Sequence, residues 1–234
     1  MKYRYLLFDA DATLLDFDTA EHQAITETLE AFDLPVSEEV IDLYSRINAA
    51  LWLKFDHGEI ERAPLLVLRF SQLMDALNRD NSRAAEMSLF YLHALARADH
   101  LLPGALELCR DLAQMGYELA IITNGVSIPQ HGRLDNSPMR PYFRKIFISD
   151  DMGCQKPQPE YFDQVCAGLG ISAEDRKYAL VIGDSLSSDM QGGLNAGIDT
   201  CWYNPKGKAL NPNIPVTYDV RSFEEIMELL SAED

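Results

Sequence analysis

Asp9 and Asp11 stand one residue apart where a short apolar run stops, in the stretch YLLFDADATLLDF. Positions i and i+2 of an extended chain face the same way, so two carboxylates at this spacing aim at one place. At about 4 Å and an effective dielectric near 20, their repulsion is roughly 4 kcal/mol. The pair therefore requires a cation, a shared proton, or both. Three later apolar runs also end in polar residues. They are Thr123-Asn124-Gly125 after YELAII, Ser149-Asp150-Asp151 after KIFI, and Gly183-Asp184-Ser185 after YALVI.

Groups so far apart in sequence can act together only if the fold gathers them. After Thr13 the apolar residues take helical spacing. Ala20, Ala24, Ile25, Thr28, Leu29 and Phe32 share one face, and Val40, Ile41, Tyr44, Ile47, Leu51, Trp52 and Phe55 form a long stripe stopped by Gly58. Helical segments follow near Pro64–Leu77 and Ser82–Ala96. From Pro103-Gly104 onward the texture changes, and strand-like runs alternate with helices at Ala105–Met115, Pro159–Leu169, Asp189–Ala196 and Phe223–Leu230. Alternation of this kind predicts an α/β fold, a Rossmann-like doubly wound parallel sheet covered on both faces. The opening strand belongs to that sheet, so the helical block is an insertion after the first strand. The expected division is a core of residues 1–16 and 101–234 and an all-helical cap of residues 17–100. In such sheets ligands bind beyond the carboxyl ends of the strands, where all four polar strand ends are expected to meet.

The 234 residues are 47% hydrophobic and 24% charged, with a formal net charge of −17. That charge opposes nucleic acid and anionic membrane surfaces as partners, since both need a basic face. Cys109, Cys154, Cys166 and Cys201 show no CxxC spacing, which points to a reducing cytoplasm rather than to a disulfide framework or a zinc site. The N-terminal apolar run is too short for the core of a signal peptide, and no apolar stretch approaches the length of a membrane span.

The motifs DADAT, ITNG, QKPQPE and GDSLSSD follow one another at the strand ends. In that order they resemble the haloacid dehalogenase-like hydrolase superfamily, and DxDxT marks its phosphatase branch. The helical insertion is similar to that superfamily's cap. NAALW at Asn48–Trp52 and GIDTCW at Gly197–Trp202 resemble the pyrimidine 5′-nucleotidase subgroup.

The resemblance implies a phosphomonoesterase with Mg²⁺ as cofactor, Mn²⁺ being able to substitute. Asp9 is then the nucleophile that forms an aspartyl-phosphate, and Asp11 is the acid and later the base. The metal is held by Asp9, the Asp11 backbone carbonyl and Asp184, with Asp189 behind them. Thr123, Asn124 and Lys156 bind the phosphoryl group. A charge count agrees, because Asp9, Asp184 and Asp189 offset Mg²⁺ plus Lys156 and leave the phosphate to Thr123, backbone N–H groups and a protonated Asp11. Pro157 biases Lys156 toward an extended backbone. Each residue also has an ordinary reading: strand-end turns for Asp9, Asp11 and TNG, a solvated lysine for Lys156, and a helix-dipole partner for Asp189.

In the cap, Asn48 lies on the apolar stripe four residues before Trp52. It is either a core polar residue bonded to a neighbouring helix or, with Trp52, a reader of a planar base. The expected partner is a small phosphorylated metabolite, a pyrimidine nucleoside 5′-monophosphate first. The alternatives are a sugar-phosphate phosphatase, a dehalogenase of the same fold, and a non-enzymatic phosphoacceptor or binding module.

Overall fold

The computed structural model describes residues 2–231. The apolar runs form β1 (Tyr5–Phe8), β2 (Glu118–Thr123), β3 (Phe143–Ile148), β4 (Ala179–Gly183), β5 (Asp199–Tyr203) and β6 (Tyr218–Val220). They make one parallel sheet in the order β3-β2-β1-β4-β5-β6. The helices, in chain order, are α1 (Phe17–Ala31), α2 (Glu38–Asp56), α3 (Arg62–Ala76), α4 (Ala84–Leu95), α5 (Ala105–Gln114), α6 (Ser127–Leu134), α7 (Ser149–Met152), α8 (Pro159–Leu169), α9 (Gln191–Ala196) and α10 (Phe223–Ser231).

Alternation along β1 explains the two layers. Leu6 and Phe8 pack with Leu108 and Leu112 of α5 and Ile226 of α10, whereas Leu7 packs with Phe162 and Val165 of α8 on the other face. This is the doubly wound sheet with an inserted helical block. Because β1 is flanked by β2 and β4, the chain winds outward on both sides of it. The carboxyl end of β1 is therefore the crevice where a ligand is expected.

The inserted helices α1–α4 bury a core of their own, in which the rings of Tyr44, Phe70 and Tyr91 sit 5.2–5.6 Å apart. Asp16 starts α1 by accepting from the Thr19 amide. The two connections to the sheet run side by side: the Leu102 amide donates to the Leu14 carbonyl and the Asp16 amide to the His100 carbonyl, both at 2.9 Å. Among the described residues no helix is long and apolar enough to cross a membrane.

Two local expectations change, and one helix had no sequence reading. The segment SIPQHGRL is the helix α6, although Pro129 and Gly132 break its pattern. Gly132 permits the packing, since a Cβ there would lie 2.5 Å from the Ala96 carbonyl oxygen. The helix ending at Gly197 begins earlier than expected, with a π turn over Leu186–Met190 before α9. The polar end of β3 coils into α7 and does not join the other three strand ends. Asp150 accepts from Arg62 of α3 and from the Ser127 amide, and Asp151 faces His131.

Candidate active site

Asp9 leaves the end of β1 and is nearly buried. Its Oδ1 accepts from Lys156 Nζ at 2.6 Å. The same ammonium donates to Asp189 Oδ1 at 2.6 Å and to the Ile122 carbonyl at 2.9 Å. Lys156 is 1% exposed. Burial works against its charge, but Asp189 and Asp9 on either side reverse that and raise its pKa above the ordinary lysine value. Burial, reinforced by Asp189 and Asp184, pushes the Asp9 carboxyl well above the usual carboxylate range, against the pull of Lys156.

Asp11 has a separate cation. The chain turns immediately after it, with Ala12 at φ +61° and the Leu14 and Leu15 amides both donating to the Ala10 carbonyl. A left-handed residue at this point ends the extended segment just after Asp11. Arg133 Nη1 donates to Asp11 Oδ1 at 2.7 Å, and Arg133 Nη2 and Gln130 Nε2 donate to Oδ2 at 3.2 and 2.7 Å. The repulsion read from the sequence is thus offset twice, by Lys156 at Asp9 and by Arg133 at Asp11. Among the described residues, each of these side-chain partners of Asp11 is a donor.

Thr123 and Asn124 extend from β2. The Thr123 hydroxyl accepts from the Gly125 amide at 3.0 Å and from Gln130 Nε2 at 2.9 Å, which leaves its O–H free to donate. Asn124 clamps the Lys156 backbone, donating to its carbonyl at 2.8 Å and accepting from its amide at 2.9 Å. Asp184 follows β4, and the Trp202 indole N–H donates to its carbonyl at 2.8 Å. The tryptophan of GIDTCW therefore fixes the Asp184 backbone. Asp189 folds back against the end of the strand, where Gly183 is obligatory: a Cβ there would lie 2.3 Å from Asp189 Oδ2. Thr13, part of the opening motif, is fully buried with its hydroxyl unpartnered among the described residues.

Oxygens of Asp9, Asp184 and Asp189 come within 4.8 Å of one another. When all three are ionised, these carboxylates leave two negative charges in excess of the Lys156 ammonium. Burial first, and then Asp189, push the Asp184 carboxyl up to about 7. Hard oxygen donors with a buried excess of two charges fit a divalent cation of the Mg²⁺ type.

A cavity of about 420 Å³ opens over these groups, and helices α1–α4 supply its far wall. Asp9, Asp11, Thr123, Asn124, Lys156, Asp184 and Asp189 line one side, and Asn48 and Trp52 of α2 line the other. Asn48 is 2% exposed, donating to Glu21 Oε1 at 2.7 Å and accepting from Arg69 Nη1 at 3.2 Å. Trp52 is half-buried and meets Phe55 edge-on at 5.3 Å. Asp56, at the end of α2, accepts from Ser187 at 2.9 Å. Gln130, Arg133, Glu21 and Arg69 were not anticipated as site residues.

The family description "haloacid dehalogenase-like hydrolase" matches residues 3–197. The chain belongs to this family. Among its relatives, the pyrimidine 5′-nucleotidase PynA of Streptococcus pneumoniae is 38% identical over 98% of this chain and 96% of its own. The pyrimidine 5′-nucleotidase YjjG of Escherichia coli is 32% identical over 98% and 99%. The HAD-hydrolase YfnB of Bacillus subtilis, solved bound to magnesium in a crystal form described as revealing interdomain movement, matches with a TM-score of 0.91 and 39% identity, covering 98% of this chain and 99% of that one. Family membership makes the chain a hydrolase.

Proposed function

We propose that this haloacid dehalogenase-like hydrolase is a Mg²⁺-dependent phosphomonoesterase that acts through an aspartyl-phosphate, with pyrimidine nucleoside 5′-monophosphates as substrates. The supporting observation is the single cavity that joins Asp9 and Lys156 to a helical wall carrying Asn48 and Trp52. The full-length relatives named as pyrimidine 5′-nucleotidases support the substrate. In this reading residues 17–100 are the cap, residues 1–16 and 101–234 the catalytic core, and the enzyme works in the cytoplasm on a small phosphorylated metabolite.

Asp9, Asp184 and the Asp11 backbone carbonyl would hold Mg²⁺, with Asp189 behind them, and Mn²⁺ substitutes. The ion supplies charge neutralisation for a phosphate entering a site already rich in carboxylates. Lys156 fixes Oδ1 of Asp9 and leaves Oδ2 to attack phosphorus. As that bond forms, the bond from phosphorus to the leaving oxygen breaks, and Asp11 delivers a proton to that oxygen. Asp11 then takes a proton from water, which attacks phosphorus and frees Asp9. Arg133 and Gln130 present Asp11 as an acceptor, the form needed for the second half. The first half requires their grip to yield as the substrate enters. The Thr123 hydroxyl and Lys156 are the donors placed to hold phosphoryl oxygens, while Asn124 acts by fixing the Lys156 backbone.

Metal binding has a pH signature. Asp184 titrates near 7 in the folded protein against 3.8 as its ordinary value, and Asp9 is also raised. Between about pH 4 and 7 the folded metal-free protein then holds protons that the unfolded chain has released, so these groups make it lose stability as pH rises through that window. Mg²⁺ must displace the same protons. The Mg²⁺-induced rise in melting temperature is accordingly larger at pH 7.5 than at pH 5.5. Thermal scans with and without Mg²⁺ check this, and an equal or larger rise at pH 5.5 contradicts it.

Trp52→Ala tests the substrate. Loss of a stacked base lowers kcat/KM for uridine 5′-monophosphate by about 1–3 kcal/mol. Acetyl phosphate, which has no base, suffers much less. Equal losses on both substrates, together with a lower melting temperature, would leave Trp52 as cap packing and count against the nucleotide.

A further inference from the structure

The helical wall of the cavity carries an arrangement of charges that the phosphoryl chemistry does not use. Glu21 of α1 is 7% exposed, and Arg69 of α3 is 2% exposed. Both line the cavity with Asn48 between them. Asn48 has its amide nitrogen on Glu21 and its amide oxygen on Arg69, the one orientation that a carboxylate on one side and a guanidinium on the other permit. Asn48 is therefore a spacer between two buried charges that do not meet directly. Ser45 Oγ donates to the second oxygen of Glu21 at 2.6 Å.

The two charges are not equally available to a ligand. Arg69 donates from Nε to the Leu66 carbonyl and from Nη1 to Asn48, and its guanidinium lies 4.5 Å from the centroid of the Tyr91 ring. Its Nη2 is buried out of contact with solvent and has no hydrogen-bond partner among the described residues. Each Glu21 oxygen accepts one hydrogen bond, so lone pairs remain for a donor arriving from the cavity. Asp18 of α1 and Asp56 of α2 line the same side. That wall thus holds three carboxylates, of which Asp18 faces Lys206 at 3.4 Å, against one guanidinium that is held by Asn48 and the Leu66 carbonyl and whose unpartnered Nη2 is closed off from solvent.

We propose that Glu21, oriented by Ser45 and by the Asn48–Arg69 chain, is the specificity-determining residue of the cavity, accepting a hydrogen bond from an N–H or O–H of the leaving group and excluding leaving groups that bear a carboxylate. The inference rests on the reading of Asp9 as a phosphoryl acceptor. It deepens that reading by naming the substrate class: phosphomonoesters of neutral leaving groups with a donor at the far end. The imide N–H of uracil or thymine and the amino group of cytosine qualify, and so does the hydroxyl of a polyol. An acid sugar or hydroxy-acid phosphate does not, because a like charge against a buried carboxylate is strongly unfavourable.

The test uses a matched pair, glucitol 6-phosphate and 6-phosphogluconate, which differ at the far end by a hydroxymethyl against a carboxylate, together with uridine 5′-monophosphate. The wild-type enzyme is expected to favour glucitol 6-phosphate over 6-phosphogluconate in kcat/KM by about tenfold or more. Glu21→Gln keeps shape and an acceptor but removes the charge, and it is expected to shrink that ratio by about tenfold. A wild-type enzyme that takes the carboxylate-bearing ester as well as the neutral one, or better, overturns the proposal and makes Arg69 the reading group. That comparison needs no variant to fold. An unchanged ratio in a folded Glu21→Gln enzyme overturns it too. If glucitol 6-phosphate is preferred to both other esters, the nucleotide assignment falls while the role of Glu21 stands.

Discussion

Asp9→Asn is expected to lower turnover of every phosphomonoester by about 10³-fold or more and to leave the melting temperature of the metal-free protein unchanged or raised. The rate falls because an amide oxygen is a poor nucleophile and its acyl phosphate analogue does not form. Stability does not fall because the wild-type carboxylate is itself disfavoured. Burial comes first among the causes that push Asp9 up, with Asp189 and Asp184 adding to it. The amide has nearly the same shape, can still accept from Lys156, and leaves the Lys156–Asp189 pair at 2.6 Å in place. Initial rates and a thermal scan on the same preparation check both halves. A residual rate above about a hundredth of wild type would show that Asp9 is not the covalent acceptor.

Lys156→Met is expected to be the most destabilising single change at the site. Among the described residues Lys156 is the one cation that touches both Asp9 and Asp189, and all three side chains are buried. Removing one partner of a buried ion pair leaves an uncompensated charge and costs about 3–5 kcal/mol. Methionine fills the space of the lysine stem, so cavity formation contributes little to the loss. The Ile122 carbonyl also loses its donor from this side chain. Mg²⁺ should recover part of the lost stability, because it neutralises the same carboxylates. Denaturant unfolding with and without Mg²⁺ measures both quantities. A variant as stable as wild type in the absence of metal would contradict the ion-pair account.

The strand ends were legible because each signal was local. YLLF, ELAIIT and ALVIG are apolar runs that stop at polar residues, and parallel pairing in a doubly wound sheet brings such ends together. The groups that steer them were hidden for different reasons. Gln130 and Arg133 lie on a helix interrupted by Pro129 and Gly132, so their spacing toward Asp11 could not be read. Glu21 and Arg69 resemble the solvated charges of any amphipathic helix. A signal was present nonetheless: Glu21 is four residues before Ile25, and Arg69 is four residues after Leu65 and four before Leu73, so each charge sits within an apolar stripe, and the two carry opposite sign. Asn48 was found in that way, but its partners come from two other helices, and no sequence spacing joins them. Asp11 lines the cavity beside Asp9, as alternation predicts, but its own cation, Arg133, comes from a distant helix and no spacing announced it.

The claim at the centre of this account is that Asp9 accepts the phosphoryl group. Borohydride reduces an acyl phosphate to an alcohol, so acid-quenched enzyme taken during turnover of uridine 5′-monophosphate with Mg²⁺, then reduced and digested, carries the trapped site in one peptide. The account predicts homoserine at position 9, absent when the substrate is omitted and absent from Asp9→Asn. Homoserine at Asp11 or at any other carboxylate, or steady hydrolysis with no modified peptide at all, would contradict it.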